Sequence, residues 1–289
     1  GTARPVFTPL SLKKGGGARE GGGGAGGGGA PGPPPPLDLA KAHRQLGVYA
    51  GILRQKLGLQ VVELPPAPGG LRALLLEDLA VVQGDTALLT RPWRPTRRHE
   101  LSSVRAVLEE LKLRVVTVTD EGATLDGSDV LFTGREFFVG ISSWTNHRGA
   151  EAVADAFRDF TVSTVPVGGG GHLKSFCSMA APDTIAIGSS EAARRAMKAM
   201  EQLSDHAYGR LSVPDDPAGN CLFARPGGAA GGVLVHRSPE EFPGSLQVGG
   251  AWGGGGAWGR VVPGGDGWAG LRGKGAGLRG GQGSQKGWG

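Results

Sequence analysis

The chain has 289 residues, of which 39% are hydrophobic, and this is enough for one large domain with a substantial buried core. Its 55 glycines are far above average usage, and 32 of them lie in residues 1–36 and 246–289, which show neither helical nor strand periodicity. The net charge of +5 comes from the same two segments, since residues 37–245 carry −2, so the composition argues against a nucleic-acid partner.

These shifts in composition divide the chain into three segments. Residues 1–36 and 246–289 are predicted to be disordered or spurious Gly-rich tails, and residues 37–245 are predicted to form one globular domain. The chain has two cysteines without a C-x-x-C motif, and its histidines show no metal-ligand spacing. No apolar run reaches the length of about 18 residues typical of a membrane helix. We therefore expect a cytoplasmic protein with no cofactor, no metal and no membrane span.

The globular segment begins with a predicted amphipathic helix. Leucine and alanine recur at helical spacing over Leu37–Leu57, and Gly58 is a typical stop signal. An apolar run over Leu59–Leu64, which ends before two prolines, predicts a strand.

A pattern of strand, helix and strand then repeats along the chain. Its cycles begin at residues 87, 136 and 184, so the period is 48–49 residues, and a fourth pair of strands lies near residues 221 and 233. The predicted elements of the three full cycles are 87–90, 99–111 and 114–118; 136–141, 146–157 and 162–167; and 184–188, 192–203 and 211–213.

A further strand is predicted just before each cycle, and these upstream segments carry polar residues at corresponding places. Glu77 and Asp78 lie in the first, Asp126 and Asp129 in the second, and His172 in the third. Modules of this kind favour blades around an axis with the helices outside, and equivalent residues would then converge on one central cavity.

The pattern alone is also compatible with a different fold and with purely structural roles for these residues. An ordinary α/β sheet also alternates strands and helices, and Leu125-Asp126-Gly127 has the composition of a plain turn. A histidine near the start of a strand is also more often structural than catalytic.

If the polar residues do converge, their chemistry points to a planar cationic ligand. Carboxylates accept the paired N–H groups of a guanidinium in a fork geometry. His172 is then the candidate proton carrier, because imidazole titrates near neutral pH and an adjacent carboxylate tunes it.

Longer strings of residues give a specific resemblance. EDLAVVQGDTALLTRPWRPTRR at 77–98 and TLDGSDVLFTGREFFVGISSWTNHRGA at 124–150 closely resemble dimethylarginine dimethylaminohydrolase, and the match continues in STVPV, HLKSFCSM and VPDDPAGNC at 163–167, 172–179 and 213–221. Trp144-Thr145-Asn146-His147 and Gly84-Asp85 are more like the second isoform of that family, and HLKSFCSM is more like the first. We take the chain to be more like the second isoform.

The resemblance implies the α/β pentein fold, a propeller of five strand-strand-helix-strand modules around a pseudo-fivefold axis, with the first and last modules incomplete in this chain. It also implies hydrolysis of asymmetric dimethylarginine and monomethylarginine to citrulline plus dimethylamine or methylamine, which influences nitric oxide synthesis. The expected partner is this small methylated arginine, and the sequence does not indicate an oligomeric state.

Site residues carry over from the resemblance position by position. It implies that His172 is the general acid and base and that Asp126 holds the guanidinium. Glu77, Asp78 and Arg97 correspond to substrate-binding residues, with Arg97 on the substrate α-carboxylate. Two further contacts depart from the pattern, because Arg72 stands where the family has an acid and Trp144 where one isoform has an arginine.

The family's nucleophile is a cysteine in its last strand, and residues 246–289 contain none. Cys177 and Cys221 match strands that the family uses for packing, so we expect no nucleophile and no activity in this chain. A non-catalytic binding or regulatory protein is therefore the alternative, and an arginine deiminase or amidinotransferase of the same superfamily is a third possibility.

Overall fold

The computed structural model describes residues 39–64, 76–168, 170–225, 232–236 and 242–245. The predicted tails at 1–36 and 246–289 lie outside these described residues, as does Arg72. The division of the chain into tails and domain therefore stays a prediction.

Three modules of the same build follow one another, as the repeat predicted. In each, two antiparallel strands form a hairpin, a helix follows, and a third strand returns parallel to the second strand of the hairpin. The first module contains β1 (Ala80–Gln83), β2 (Thr86–Leu89), α2 (Leu101–Glu110) and β3 (Arg114–Thr117); the second β4 (Val130–Phe132), β5 (Phe137–Ile141), α3 (His147–Ala156) and β6 (Val162–Pro166); the third β7 (Cys177–Ala181), β8 (Thr184–Ile187), α4 (Glu191–Leu203) and β9 (Gly209–Ser212).

A fourth antiparallel pair, β10 (Leu222–Ala224) and β11 (Val233–Val235), follows the third module. The predicted first helix is present as α1 (Leu39–Gly51), which continues as a π-helical turn over Ile52–Lys56. Leu57 at its end packs with Val235 of β11, so the first helix and the fourth strand pair share one hydrophobic cluster.

The strand predicted over Leu59–Leu64 is wrong. This segment is irregular: its backbone is tied to the preceding helix, and no strand pairs with it among the described residues. The Leu59 N–H donates to the Leu53 carbonyl at 2.9 Å, and the Val61 carbonyl accepts from the Arg54 guanidinium at 3.1 Å.

The upstream segments are only partly strands. Each begins as a short 3-10 turn that leads into the first strand of its hairpin, and the predicted polar residues belong to these turns and their caps. Consecutive turns contact one another, which brings corresponding positions of neighbouring modules together. The turns span Leu76–Leu79, Gly127–Asp129, Leu173–Ser175 and Asp216–Gly219.

Helix ends follow their local sequence. Asn146 caps α3 by accepting a hydrogen bond from Gly149 N–H, and Ser190 caps α4 by accepting one from Ala193 N–H. Each cap fixes the loop between a central strand and its helix. Within the described part of the chain, no helix combines the length and the apolar character needed to cross a membrane.

The second module is built around an aromatic cluster. Phe137 is fully buried in β5, and its ring lies 4.5 Å from Phe132, 4.9 Å from Phe157 and 5.7 Å from Phe160, measured between centroids. Aromatic pairs at these distances add to the stability gained from burial itself.

We predict that Phe137→Ala destabilises the protein by about 3–5 kcal/mol, because it leaves a cavity inside this cluster. The free energy of unfolding is measured by chemical denaturation. We expect its slope against denaturant concentration to be the same in the variant and the unmodified chain. The matched control is Leu203→Ala, at a side chain that is half exposed at the end of α4, for which we expect a change within about 0.5 kcal/mol. Equal losses in the two variants would contradict this view of the core.

Candidate active site

The turn before β1 directs two buried acids toward the neighbouring turns. Glu77 forms an ion pair with Lys174 of the third module. The Asp78 carboxylate accepts from Ser128 Oγ through one oxygen and from Arg97 Nη1 through the other, at 2.6 Å in the second case. These two acids therefore link the first module to the second and third.

Arg97 lies in the 3-10 turn over Pro95–Glu100 and is buried. Besides Asp78, it contacts Glu100, which accepts from Nε and Nη2 at 3.2 Å each. A guanidinium between two carboxylates is held in a fixed orientation. The arginine that was predicted to hold a ligand carboxylate is thus already paired inside the protein.

Asp126 begins the turn of the second module and is 6% exposed. Gly127 explains how it comes so near the first module, since a Cβ at this position would collide with the Glu77 carbonyl oxygen. Asp126-Gly127 is therefore a turn and a part of the acidic cluster at once, which reconciles the two interpretations of the sequence.

His172 begins the turn of the third module and reaches back to the second. Its Nε2 lies 3.1 Å from Asp126 Oδ2, and its side chain is 20% exposed. The indole of Trp144 stacks on its ring, with centroids 4.2 Å apart and planes inclined by 24°.

The structure thus brings together the five residues that the sequence singled out: Glu77, Asp78, Arg97, Asp126 and His172. The roles assigned to them by the resemblance remain predictions. What the geometry provides is a buried group of carboxylates around one partly exposed imidazole.

Burial and neighbouring charges shift the pKa values of this group. It raises the pKa of Glu77 and of Asp126, although Lys174 and His172 oppose the shift in the two cases. Burial also disfavours the charged imidazole, but the hydrogen bond to Asp126 and the charges of Asp129 and Asp78 outweigh it, so the pKa of His172 is raised. The acids of the cluster therefore favour a positively charged group beside them.

A metal ion is a further ligand to consider at this place. Asp78, Asp126 and His172 each offer one ligand atom, and these atoms lie within 4.8 Å of one another. Both oxygens of Asp78 already accept hydrogen bonds, from Ser128 and from Arg97. An ion bound at Asp78 would compete with these two hydrogen bonds.

Neither cysteine of the chain is activated. Burial raises the pKa of the Cys177 thiol far above its ordinary value, and the thiol donates to the Leu173 carbonyl at 3.3 Å. Burial also raises the pKa of Cys221 to about 11, and its sulfur contacts Ser178 Oγ. Both thiols are therefore protonated at neutral pH and unsuited to nucleophilic attack.

A separate cavity of about 570 Å³ opens beside the β1–β2 turn, and its lining includes none of the predicted site residues. Its walls come from Gln83–Thr86, Arg114 and the segment Asp155–Phe160.

Lys174 and Ser128 lie inside the matched strings and Glu100 lies two residues beyond one, but the sequence predicts a role for none of them. Each lies two or three residues from a predicted site residue, and a buried acid needs a donor or cation nearby. The need for such a partner is the feature of the sequence that could have pointed to these residues. It does not indicate which of the nearby polar side chains points toward the buried acids.

Comparisons with known proteins decide the family. No protein-family description matches the chain. Human DDAH2, by contrast, is 58% identical over 215 residues, which is 73% of this chain and 75% of that protein. The chain belongs to the dimethylarginine dimethylaminohydrolase family. The similarity to DDAH2 also confirms that it is more like the second isoform.

More distant members of the family agree with this assignment. An N(G),N(G)-dimethylarginine dimethylaminohydrolase of Streptomyces coelicolor is 37% identical over 133 residues, or 45% of this chain and 51% of that protein. The solved structure of DDAH from Pseudomonas aeruginosa complexed with citrulline aligns with a TM-score of 0.64 at 18% identity, covering 78% of this chain and 82% of that one. The predicted pentein fold is thereby confirmed for this chain, whereas the closure of its modules into a propeller stays a prediction.

The contact between Asp126 and His172 gives a prediction about pH. Since the pKa of His172 is raised in the folded protein, its protonation stabilises the fold fully below the ordinary value of 6.5, and this contribution is lost as the pH rises through the folded-state pKa. Asp126→Asn removes the charge that is hydrogen-bonded to His172, so we expect the pKa of His172 to fall. The stability that the protein loses as the pH rises should then be smaller than in the unmodified chain. NMR titration of the imidazole and denaturation on both sides of pH 6.5 measure the two effects.

The control for this prediction is Asp183→Asn, which removes an exposed aspartate paired with Arg135. We expect the His172 titration to be the same as in the unmodified chain. An unchanged titration in Asp126→Asn would show that the two side chains are not coupled.

Proposed function

We propose that the acidic cluster binds the guanidinium of asymmetric dimethylarginine or monomethylarginine, and that this is the site where the family's hydrolysis to citrulline takes place. One observation carries the proposal. One carboxylate oxygen of Asp126 is hydrogen-bonded to His172. The other oxygen, Oδ1, is a buried acceptor without a hydrogen-bond partner among the described residues.

A buried acceptor without a donor costs free energy, and more when it is charged. A guanidinium N–H supplies that donor together with a compensating positive charge. The surrounding charges favour such a ligand, because five buried acids outnumber three basic side chains. The acids are Glu77, Asp78, Glu100, Asp126 and Asp129, and the basic side chains are Arg97, Lys174 and His172. A methylated guanidinium keeps its charge and still has N–H groups to donate.

His172 is placed to transfer a proton in the same complex. Its bond to Asp126 fixes the imidazole beside the bound guanidinium, and the surrounding carboxylates raise its pKa, which favours the protonated form. In the proposed reaction a thiolate forms a bond to the guanidinium carbon, and the bond to the methylated nitrogen breaks as His172 protonates the departing dimethylamine or methylamine. Water then attacks the same carbon, His172 takes up its proton, and citrulline leaves as the thiolate is restored.

The thiolate is the component that this chain does not supply. Cys177 and Cys221 are its two cysteines, and both are buried and protonated. We propose that the chain binds methylated arginines without hydrolysing them. With a suitable cysteine it would hydrolyse them and so influence nitric oxide synthesis. A non-catalytic role in binding or regulation is the second candidate, and the buried thiols are the observation that favours it.

Turnover is tested by citrulline release from asymmetric dimethylarginine. We expect none from the 289-residue chain, and release from a version in which residues 246–289 are replaced by a cysteine-bearing last strand of the family type. Circular dichroism establishes that both versions fold. Release by the unaltered chain would overturn the assignment of the missing nucleophile, and a folded but inactive replacement would favour the binding role.

Unmethylated arginine serves as the competing substrate in that assay. Faster release of citrulline from arginine than from its methylated forms would assign the site to an arginine deiminase. A preference for the methylated forms supports the proposal.

Binding is tested without turnover by calorimetry with asymmetric dimethylarginine. We expect Asp126→Asn to weaken binding about ten- to a hundredfold, since a hydrogen bond to a charged group contributes about 1.5–3 kcal/mol. Asp183→Asn, at an exposed aspartate, should bind as the unmodified chain does. Equal affinity in the two variants would place the ligand elsewhere.

A further inference from the structure

Asp129 is the most deeply buried acid of the cluster, yet the proposed reaction assigns it no part. It lies at the end of the turn Gly127–Asp129 and is fully inaccessible to solvent. Burial raises the pKa of its carboxyl group, so keeping this charge inside the protein costs free energy. A group maintained at such a cost has a use that its contacts should reveal.

One oxygen of Asp129 fixes the segment that carries His172. Oδ1 accepts a hydrogen bond from the backbone N–H of Leu173 at 2.8 Å. Leu173 is the first residue of the turn that His172 caps, so this bond places the histidine backbone in the third module. Gly140 of β5 leaves room for the contact, because a Cβ there would lie 3.1 Å from Oδ1 and 2.8 Å from Leu173 Cβ.

The other oxygen fixes the loop that carries Trp144. Oδ2 accepts from Ser142 Oγ and from Thr145 Oγ1, both at 2.7 Å. Ser142 Oγ in turn accepts from the backbone N–H groups of Trp144 and Thr145, at 3.0 and 3.3 Å. The residues on either side of Trp144, Ser142 and Thr145, are thus hydrogen-bonded to Asp129 through their side chains.

We propose that Asp129 is a positioning residue that holds the indole of Trp144 against the imidazole of His172. The two rings belong to different modules, and the Asp129 carboxylate is bonded to the chain segment of each. With one face on the indole and Nε2 on Asp126, the imidazole can neither rotate nor tilt freely. The value of this for proton transfer rests on the function proposed above, but the contact itself does not.

The hydrogen bonds make Asp129→Asn a sharp test. An asparagine side chain has one acceptor oxygen and one NH₂ group, whereas the site presents donors on both sides. If the NH₂ faces Leu173, two donors oppose each other. If it faces Ser142, it meets an oxygen that already accepts two backbone N–H groups. Either orientation releases one of the two segments.

The measurement is the NMR spectrum of the histidine ring protons in the full chain, without ligand. A ring stacked on an indole is shifted upfield by the ring current, and the His172 signals are identified by their absence in His172→Gln. We expect shifted His172 signals in the unmodified chain, and their return to the ordinary range in Trp144→Leu and in Asp129→Asn.

A second pair of variants covers the case in which Asp129→Asn does not fold. Ser142→Ala removes the hydroxyl that links Asp129 to the Trp144 loop, and Ser142→Thr keeps it. We expect the upfield shift to be lost in the first and retained in the second. Asp183→Asn is the matched control for loss of an aspartate charge and should retain it.

Two results would overturn the proposal: His172 signals that are unshifted in the unmodified chain, or signals that stay shifted in Ser142→Ala or in a folded Asp129→Asn variant. Since no ligand is present, these outcomes are independent of whether methylated arginine binds. A stack that depends on Asp129 in a protein that binds no methylated arginine would support this inference while sinking the proposed function.

Discussion

The burial of several carboxylates around a single imidazole is the constraint on which the rest of the site depends. Each of these acids is removed from water, and burial pushes the pKa of Glu77, Asp126 and Asp129 upward. Such an arrangement is stable only where donors and cations compensate it. Arg97, Lys174 and the imidazole of His172 do so in part, and a cationic ligand would complete the compensation.

The fold supplies this constraint by repetition. Each module begins with a 3-10 turn ahead of its hairpin, and neighbouring turns contact one another, so equivalent positions meet although they are almost 50 residues apart in sequence. Glycine at position 127 permits the closest of these approaches, since its missing side chain leaves space for the Glu77 carbonyl. The acidic cluster therefore arises from short turns whose position is fixed by the sheets behind them.

Much of this could be predicted from the sequence, because hydrophobic periodicity repeats with the modules and polar residues recur at the same phase. The strands and helices of the three cycles are therefore predicted correctly, with ends displaced by one or two residues, whereas the segments upstream of each cycle are strands only in part. The apolar run Leu59–Leu64 is not predicted correctly, because a strand is defined by a neighbour that periodicity does not reveal. The stacking of Trp144 on His172 and the buried position of Asp129 also depend on contacts between modules, which no local pattern encodes.

We propose that ligand binding and hydrolysis are separated in this chain. The acids and the histidine that we propose to bind a guanidinium and transfer a proton lie together, whereas both thiols are buried and protonated. The most direct measurement is a crystal structure of the chain with asymmetric dimethylarginine. The account predicts a guanidinium N–H within hydrogen-bond distance of Asp126 Oδ1, with the ligand beside His172. A ligand bound in the separate cavity beside Asp155–Phe160, with the acidic cluster unchanged, would contradict it.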